Sequence, residues 1–159
     1  MAWCCNALAI ANVIILDNRT GYTGFSYLTA SGTLNNTAVK ALHTAPSLIL
    51  AAQGAGTIII PDTVVLENIN GGTAYANGGA IAAAYGVAGT VLATGTVAAT
   101  FLTSPTVSEI AVLRAATADV GTSTNTLNVG LYLAAATADF ITGTGTMKWS
   151  LQYHVVSGL

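Results

Sequence analysis

The chain has 159 residues, of which 53% are hydrophobic and 6% charged, with a formal net charge of −2. That length suits one domain with a core of its own, and the hydrophobicity excludes intrinsic disorder, which needs the opposite balance. Four Lys and Arg residues cannot neutralise a run of phosphates, so no nucleic-acid partner is expected.

Residues 1–30 read as an extended arm and residues 31–159 as a β-sandwich domain. The apolar start MAWCCNALAIANVIILDN carries no basic residue before Arg19, so it lacks the charged opening of an export signal. Cys4 and Cys5 are adjacent, a spacing ill suited to a disulfide, and read as free thiols. The sequons at Asn18 and Asn35 read as chance matches in a Thr-rich chain. DNRTGYTGFSYLTASGT places turn residues every few positions, with Tyr22, Phe25 and Tyr27 between them. Together with Trp3, these aromatics are candidate anchors for a partner. The competing reading has them covering one end of the sandwich.

NTAVKALHT, residues 36–44, predicts a short helix before Pro46, with Val39 and Leu42 on one face. PSLILAAQGAG follows as a strand closed by Gly54 and Gly56. TIIIPDTVVLENI is a second β-rich run, in which Pro61 predicts an edge or a bend. TAYAN, bracketed by Gly71-Gly72 and Gly78-Gly79, reads as a loop feeding a strand over 79–86.

From Asn68 to Ser108 there is no charge at all. A spanning helix needs about 20 mostly apolar residues, but this run is Ala, Gly and Thr, and no basic cluster flanks it. Thr90, Thr94, Thr96 and Thr100 fall on even positions, and Val91, Ala93, Val97, Ala99 and Phe101 on odd ones. Leu92 and Ala98 break the pattern, but period two predicts a strand over 90–102 with one buried face, and no membrane partner is expected.

SEIAVLRAA predicts a strand with Ile110 and Val112 opposite Ala111 and Leu113, and TADVGTSTNT a polar loop. TLNVGLYLAAA puts Val129, Leu131 and Leu133 on one face, and ITGTGT reads as a hairpin turn. The last strand, MKWSLQYHVV, alternates most cleanly: Trp149, Leu151, Tyr153 and Val155 against Lys148, Ser150, Gln152 and His154. Seven or eight short strands with turns between them predict an all-β, antiparallel sandwich, jelly-roll-like because the connections vary in length.

The sequence is poor in groups that carry chemistry. His43, His154, Asp62 and Glu67 have no metal-ligand spacing, so neither metal nor cofactor is expected. There is no GxSxG elbow for a nucleophilic Ser, and no Gly-rich loop opens a helix with a Lys. No catalytic residue is therefore assigned, and the chain reads as a non-enzyme. Arg114 is expected to pair with Glu109 or another acid, at the core edge or across a subunit contact.

Three segments, VKALHTAPSLILAAQGAGTIIIP, GGTAYANGGAIAAAYG and NVGLYLAAATADFITGTGTMKWSLQYHVV, resemble capsid decoration (cement) proteins of tailed bacteriophages. The resemblance covers about half of the chain and leaves out the N-terminal arm. It implies a jelly-roll-like sandwich, a homotrimer, a major capsid protein as partner and a place on the virion surface. No functional residue carries over from it. A charge-poor surface agrees, because few ions must leave water when it is buried. The alternatives are a phage tail or fibre component, and a carbohydrate-binding module using Trp149, Tyr132 and Tyr153. Since Trp149 and Tyr153 fall on the apolar face of their strand, they are expected in the core.

Overall fold

In the computed structural model the described residues are 27–104, 106–116 and 126–158. Along the last strand, β10 (Thr146–Ser157), buried Met147, Leu151 and Tyr153 alternate with exposed Lys148, Ser150 and Gln152. This period of two gives the strand one core face and one outer face. On one flank β10 pairs antiparallel with β1 (Leu28–Leu34), whose own alternation turns Leu28, Ala30, Gly32 and Leu34 inward. On the other it pairs with β3 (Thr57–Ile69), and β3 in turn pairs with β7 (Glu109–Arg114). The first sheet therefore runs β1-β10-β3-β7, all antiparallel.

The second sheet runs β2 (Ser47–Leu50), β8 (Leu131–Ala135), β5 (Ile81–Tyr85) and β6 (Val91–Leu92), also antiparallel. Its Ile81, Ala83, Leu131 and Leu133 meet Val64, Leu66, Met147 and Leu151 of the first sheet in one core. A hydrogen bond ties the layers: the Tyr85 hydroxyl, on β5, donates to the Ile59 carbonyl on β3 at 2.6 Å. The molecule is thus an all-β sandwich of antiparallel sheets.

All five residues of β5, IAAAY, are buried. Its second face, with Ala82 and Ala84, lies away from the core, beside Ala134 of β8. The turn after β5 closes over Ala134, and Gly89, at φ 64°, comes so near that a Cβ there would lie 2.7 Å from it. A strand covered on both sides reads as a continuous apolar run, which is what IAAAY is. No helix among the described residues is long and apolar enough to cross a membrane.

The short helix is α1 (Asn36–Lys40), capped by the Asn35 side chain, which accepts from the Ala38 N–H at 2.9 Å. Val39 and Leu42 are fully buried beneath it. At Pro61 the β10–β3 register slips by one residue, so that Asp62 bulges out of the ladder. β7 pairs with β3 only from Thr63 onward, which leaves Pro61 on an unpaired flank where a missing N–H costs no ladder bond.

Three elements differ from the sequence reading. Instead of one strand over 90–102, only Val91–Leu92 is a strand, with bridges at Thr94 and Val97, and Thr100–Thr103 forms α2. Within this stretch Thr94 is 0% exposed, its hydroxyl accepting from the Ala83 N–H at 3.0 Å and donating to the Gly95 carbonyl. TAYAN contains a strand, β4 (Tyr75–Asn77), paired with β9 (Phe140–Thr142). ITGTGT is consequently no hairpin turn, since β9 joins β4 while β10 joins the first sheet. Thr142 and Gly143, both at positive φ, turn the chain between them.

Candidate interaction surface

The register fixes what the first sheet shows on its outer face. Thr63 lies beside Arg114, Val65 beside Val112, and Glu67 beside Ile110. Across β10 the same rows continue into Gln152, Ser150 and Lys148, and then into Thr29, Ser31 and Thr33 of β1. Six of these twelve positions are uncharged Ser, Thr and Gln. Its charges are the Glu67–Lys148 ion pair, at 3.4 Å between exposed groups, and Arg114.

At the β7 flank the face becomes apolar. Ile110 is 69% exposed and Val112 54%, while Leu113, one residue on, is buried in the core. Among the described residues, β7 pairs only with β3, so its other side is an open edge over 109–113. Beyond that, the Arg114 carbonyl accepts from the Gly95 N–H at 2.9 Å, and Ala115 bridges to Thr94. Where residues 92–96 diverge from β7, a shallow groove of about 630 Å³ opens, lined by Leu92, Thr96, Val112 and Arg114. An exposed edge strand carrying large apolar side chains invites pairing with another chain.

Arg114 and Glu109 stand at opposite ends of β7, roughly 17 Å apart at strand rise. They do not pair, and neither makes an ion pair among the described residues. Both remain available to a partner.

Of the anchor residues, Tyr27 is 55% exposed just ahead of β1. Trp3, Tyr22 and Phe25 lie outside the described residues, as do Cys4 and Cys5. The boundary drawn at residue 30 falls inside β1, which already begins at Leu28. Tyr153 is buried and Trp149 packs against the core from β10, its ring lying over Gly32. Two of the three aromatics of a carbohydrate platform are therefore turned inward.

Both histidines are engaged in structure. His154 Nδ1 meets Asp62 Oδ2 at 3.1 Å, which ties the bulge to β10. His43 donates from Nδ1 to the Ala135 carbonyl at 2.9 Å. No group of three or more His, Cys, Asp or Glu that could hold a metal occurs among the described residues. Asp139, which the sequence did not single out, clamps the turn after α1. Its carboxylate accepts from the Thr44 hydroxyl at 2.6 Å and from the Thr44 and His43 N–H groups at 2.9 Å each. The Thr44 hydroxyl above all, then its N–H, holds that carboxyl below the usual range. Tyr75 is buried with its hydroxyl donating to the Gly145 carbonyl at 2.7 Å, and burial pushes its pKa up to about 12.

No protein-family model and no curated protein matches the chain. Among solved structures, it is similar to a chain described as the Cyanophage Pam1 capsid asymmetric unit. The two are 18% identical, with a TM-score of 0.47, over 94% of this chain and 98% of that one.

Proposed function

We propose that the chain is a non-catalytic structural protein of a tailed-phage virion, which binds the major capsid protein on the capsid surface and stabilises the shell. The observation that carries this reading is the outer face of the first sheet: an apolar edge with Ile110 and Val112 exposed, continuing into a face of small uncharged side chains. Burying such a face against protein gains apolar contact and strips water from few ions. Repeated around a symmetric shell, modest contacts of this kind add through multivalency.

The strand orders support a jelly-roll reading. The pairs β1·β10, β2·β8, β3·β7 and β5·β6 nest from the outside of the chain inward, alternately in one sheet and the other. That is the pattern of a long hairpin rolled into a sandwich. Residues ahead of β1 act as the arm, with Trp3, Tyr22, Phe25 and Tyr27 as its anchors on neighbouring subunits, and the working unit is a homotrimer.

Deleting residues 2–25 tests the arm. The truncated chain keeps the β-rich circular dichroism of the full chain and binds purified capsids at least tenfold more weakly. Equal affinity of the two chains for capsids removes the arm from the account.

A further inference from the structure

One short sequence, Asn-Gly-Gly, occurs twice around β4: Asn70-Gly71-Gly72 ahead of it and Asn77-Gly78-Gly79 at its end. Asparagine before glycine is chemically labile, because no side chain screens the nitrogen that follows the amide. The fold treats the two copies differently. We propose that Asn70–Gly71 is a site of spontaneous covalent modification, where the chain closes a succinimide and opens it to isoaspartate and aspartate, while Asn77–Gly78 is protected.

At the first pair the reacting groups are held together. Asn70 Oδ1 accepts from the Gly72 N–H at 2.9 Å. That bond closes a turn containing both Asn70 Cγ and the Gly71 nitrogen, the two atoms that must join, and holding them there lowers the entropic cost of closure. The same N–H is aimed at the oxygen on which negative charge develops during attack. The loop is anchored on both sides: the Asn70 N–H donates to Ser108 Oγ at 3.2 Å, and the Thr144 hydroxyl donates to the Gly71 carbonyl at 2.8 Å. A Cβ on residue 71 would run into the Thr144 carbonyl, so the position takes glycine alone. Among the described residues no hydrogen bond ties the Gly71 N–H or Asn70 Nδ2. Gly71 and Gly72 are exposed, so water reaches the ring.

The second pair is clamped. Asn77 Nδ2 donates to the Asp139 carbonyl at 3.4 Å, and the residue pairs with Phe140 in the β4–β9 ladder. The Phe140 ring lies over Gly78, where a Cβ would run into it, and Gly79 is buried against Thr137. Closing a ring there has to break the strand pairing and displace a buried aromatic.

In the reaction the Gly71 nitrogen gives up its proton and bonds to Asn70 Cγ, the Cγ–Nδ2 bond breaks, and the side-chain nitrogen leaves as ammonia. Water then opens the ring at either carbonyl. The product brings a carboxylate into the charge-free stretch 68–108, beside Ser108 and so close to Glu109, where like charges repel. This chemistry belongs to the chain itself and stands apart from the capsid reading.

The test incubates the full chain at mildly alkaline pH, folded and in urea, and follows both sites over time by peptide mass spectrometry with fragmentation that distinguishes isoaspartate. The matched sequences make the second site an internal control. In the folded chain residue 70 is expected to convert at least fivefold faster than residue 77. In urea, where only local sequence acts, the two are expected to agree within about twofold. Isoaspartate is expected at residue 70 beside aspartate, and Asn70→Gln abolishes the conversion there. A smaller ratio in the folded chain overturns the proposal. So does a fivefold ratio that persists in urea, which would assign the preference to sequence and not to the fold. Aspartate without isoaspartate at residue 70 also overturns it, because the ring would then not have formed.

Discussion

Thr94 shows how much a single side chain decides here. Its hydroxyl stands where a ladder carbonyl would otherwise accept from the Ala83 N–H, inside a fully buried site. Thr94→Val keeps the shape and leaves that N–H without its acceptor, so stability should fall by about 1–3 kcal/mol in denaturant titration, with Thr94→Ser largely restoring it. Tyr75 gives a second prediction, with a definite sign. Its folded pKa of about 12 lies above the ordinary 10.0. The unfolded chain therefore loses its proton first as pH rises, and the folded chain binds more protons between the two values. The contribution is complete below about pH 10 and fades towards pH 12, a loss of roughly 2–3 kcal/mol. Tyr75→Phe should start less stable by about 1 kcal/mol and show a smaller alkaline loss over that range. Parallel slopes for the two proteins would mean that Tyr75 is not the group responsible.

At the scale of elements, Asp139 fastens the turn after α1 to the loop between β8 and β9. Because its carboxyl is held low, the stabilisation is present above the ordinary carboxylate range and is lost as pH falls through the folded value. Asp139→Asn should lower the melting temperature at neutral pH and narrow the gap to the parent protein in acid. Which elements could be read in advance follows from how they are buried. β10 was legible because one face meets the core and the other meets solvent, so its alternation survives from Thr146 to Tyr153. Residues 90–102 carried a similar period for another reason. There Thr94 turns inward to serve Ala83, Gly95 and Thr96 stay exposed, and Phe101 and Leu102 are buried from a helical turn. Period alone does not separate those cases. β4 and β9 are three residues each and exist through a pairing more than sixty residues apart in sequence, which no local pattern announces. The exposure of Ile110 and Val112 was likewise hidden. Alternation separates the two faces of β7 but does not say that the face carrying the larger side chains is the one left outside.

For the whole molecule, the scarcity of charge has two structural sources. β5 is covered on both faces, and the outer face of the first sheet carries Ser, Thr, Gln and exposed aliphatic residues around one ion pair and Arg114. The first source belongs to folding. The second leaves a surface with little to lose on meeting protein, and on it rests the reading as a capsid-binding virion component. Cryo-electron microscopy of purified virions made in cells expressing the full chain tests that reading most directly. The account predicts density fitting this sandwich on the outer surface of the head, in fixed stoichiometry with the major capsid protein and with the β7 edge at a subunit contact. Virions that lack the chain, or that carry it only on the tail, would contradict it.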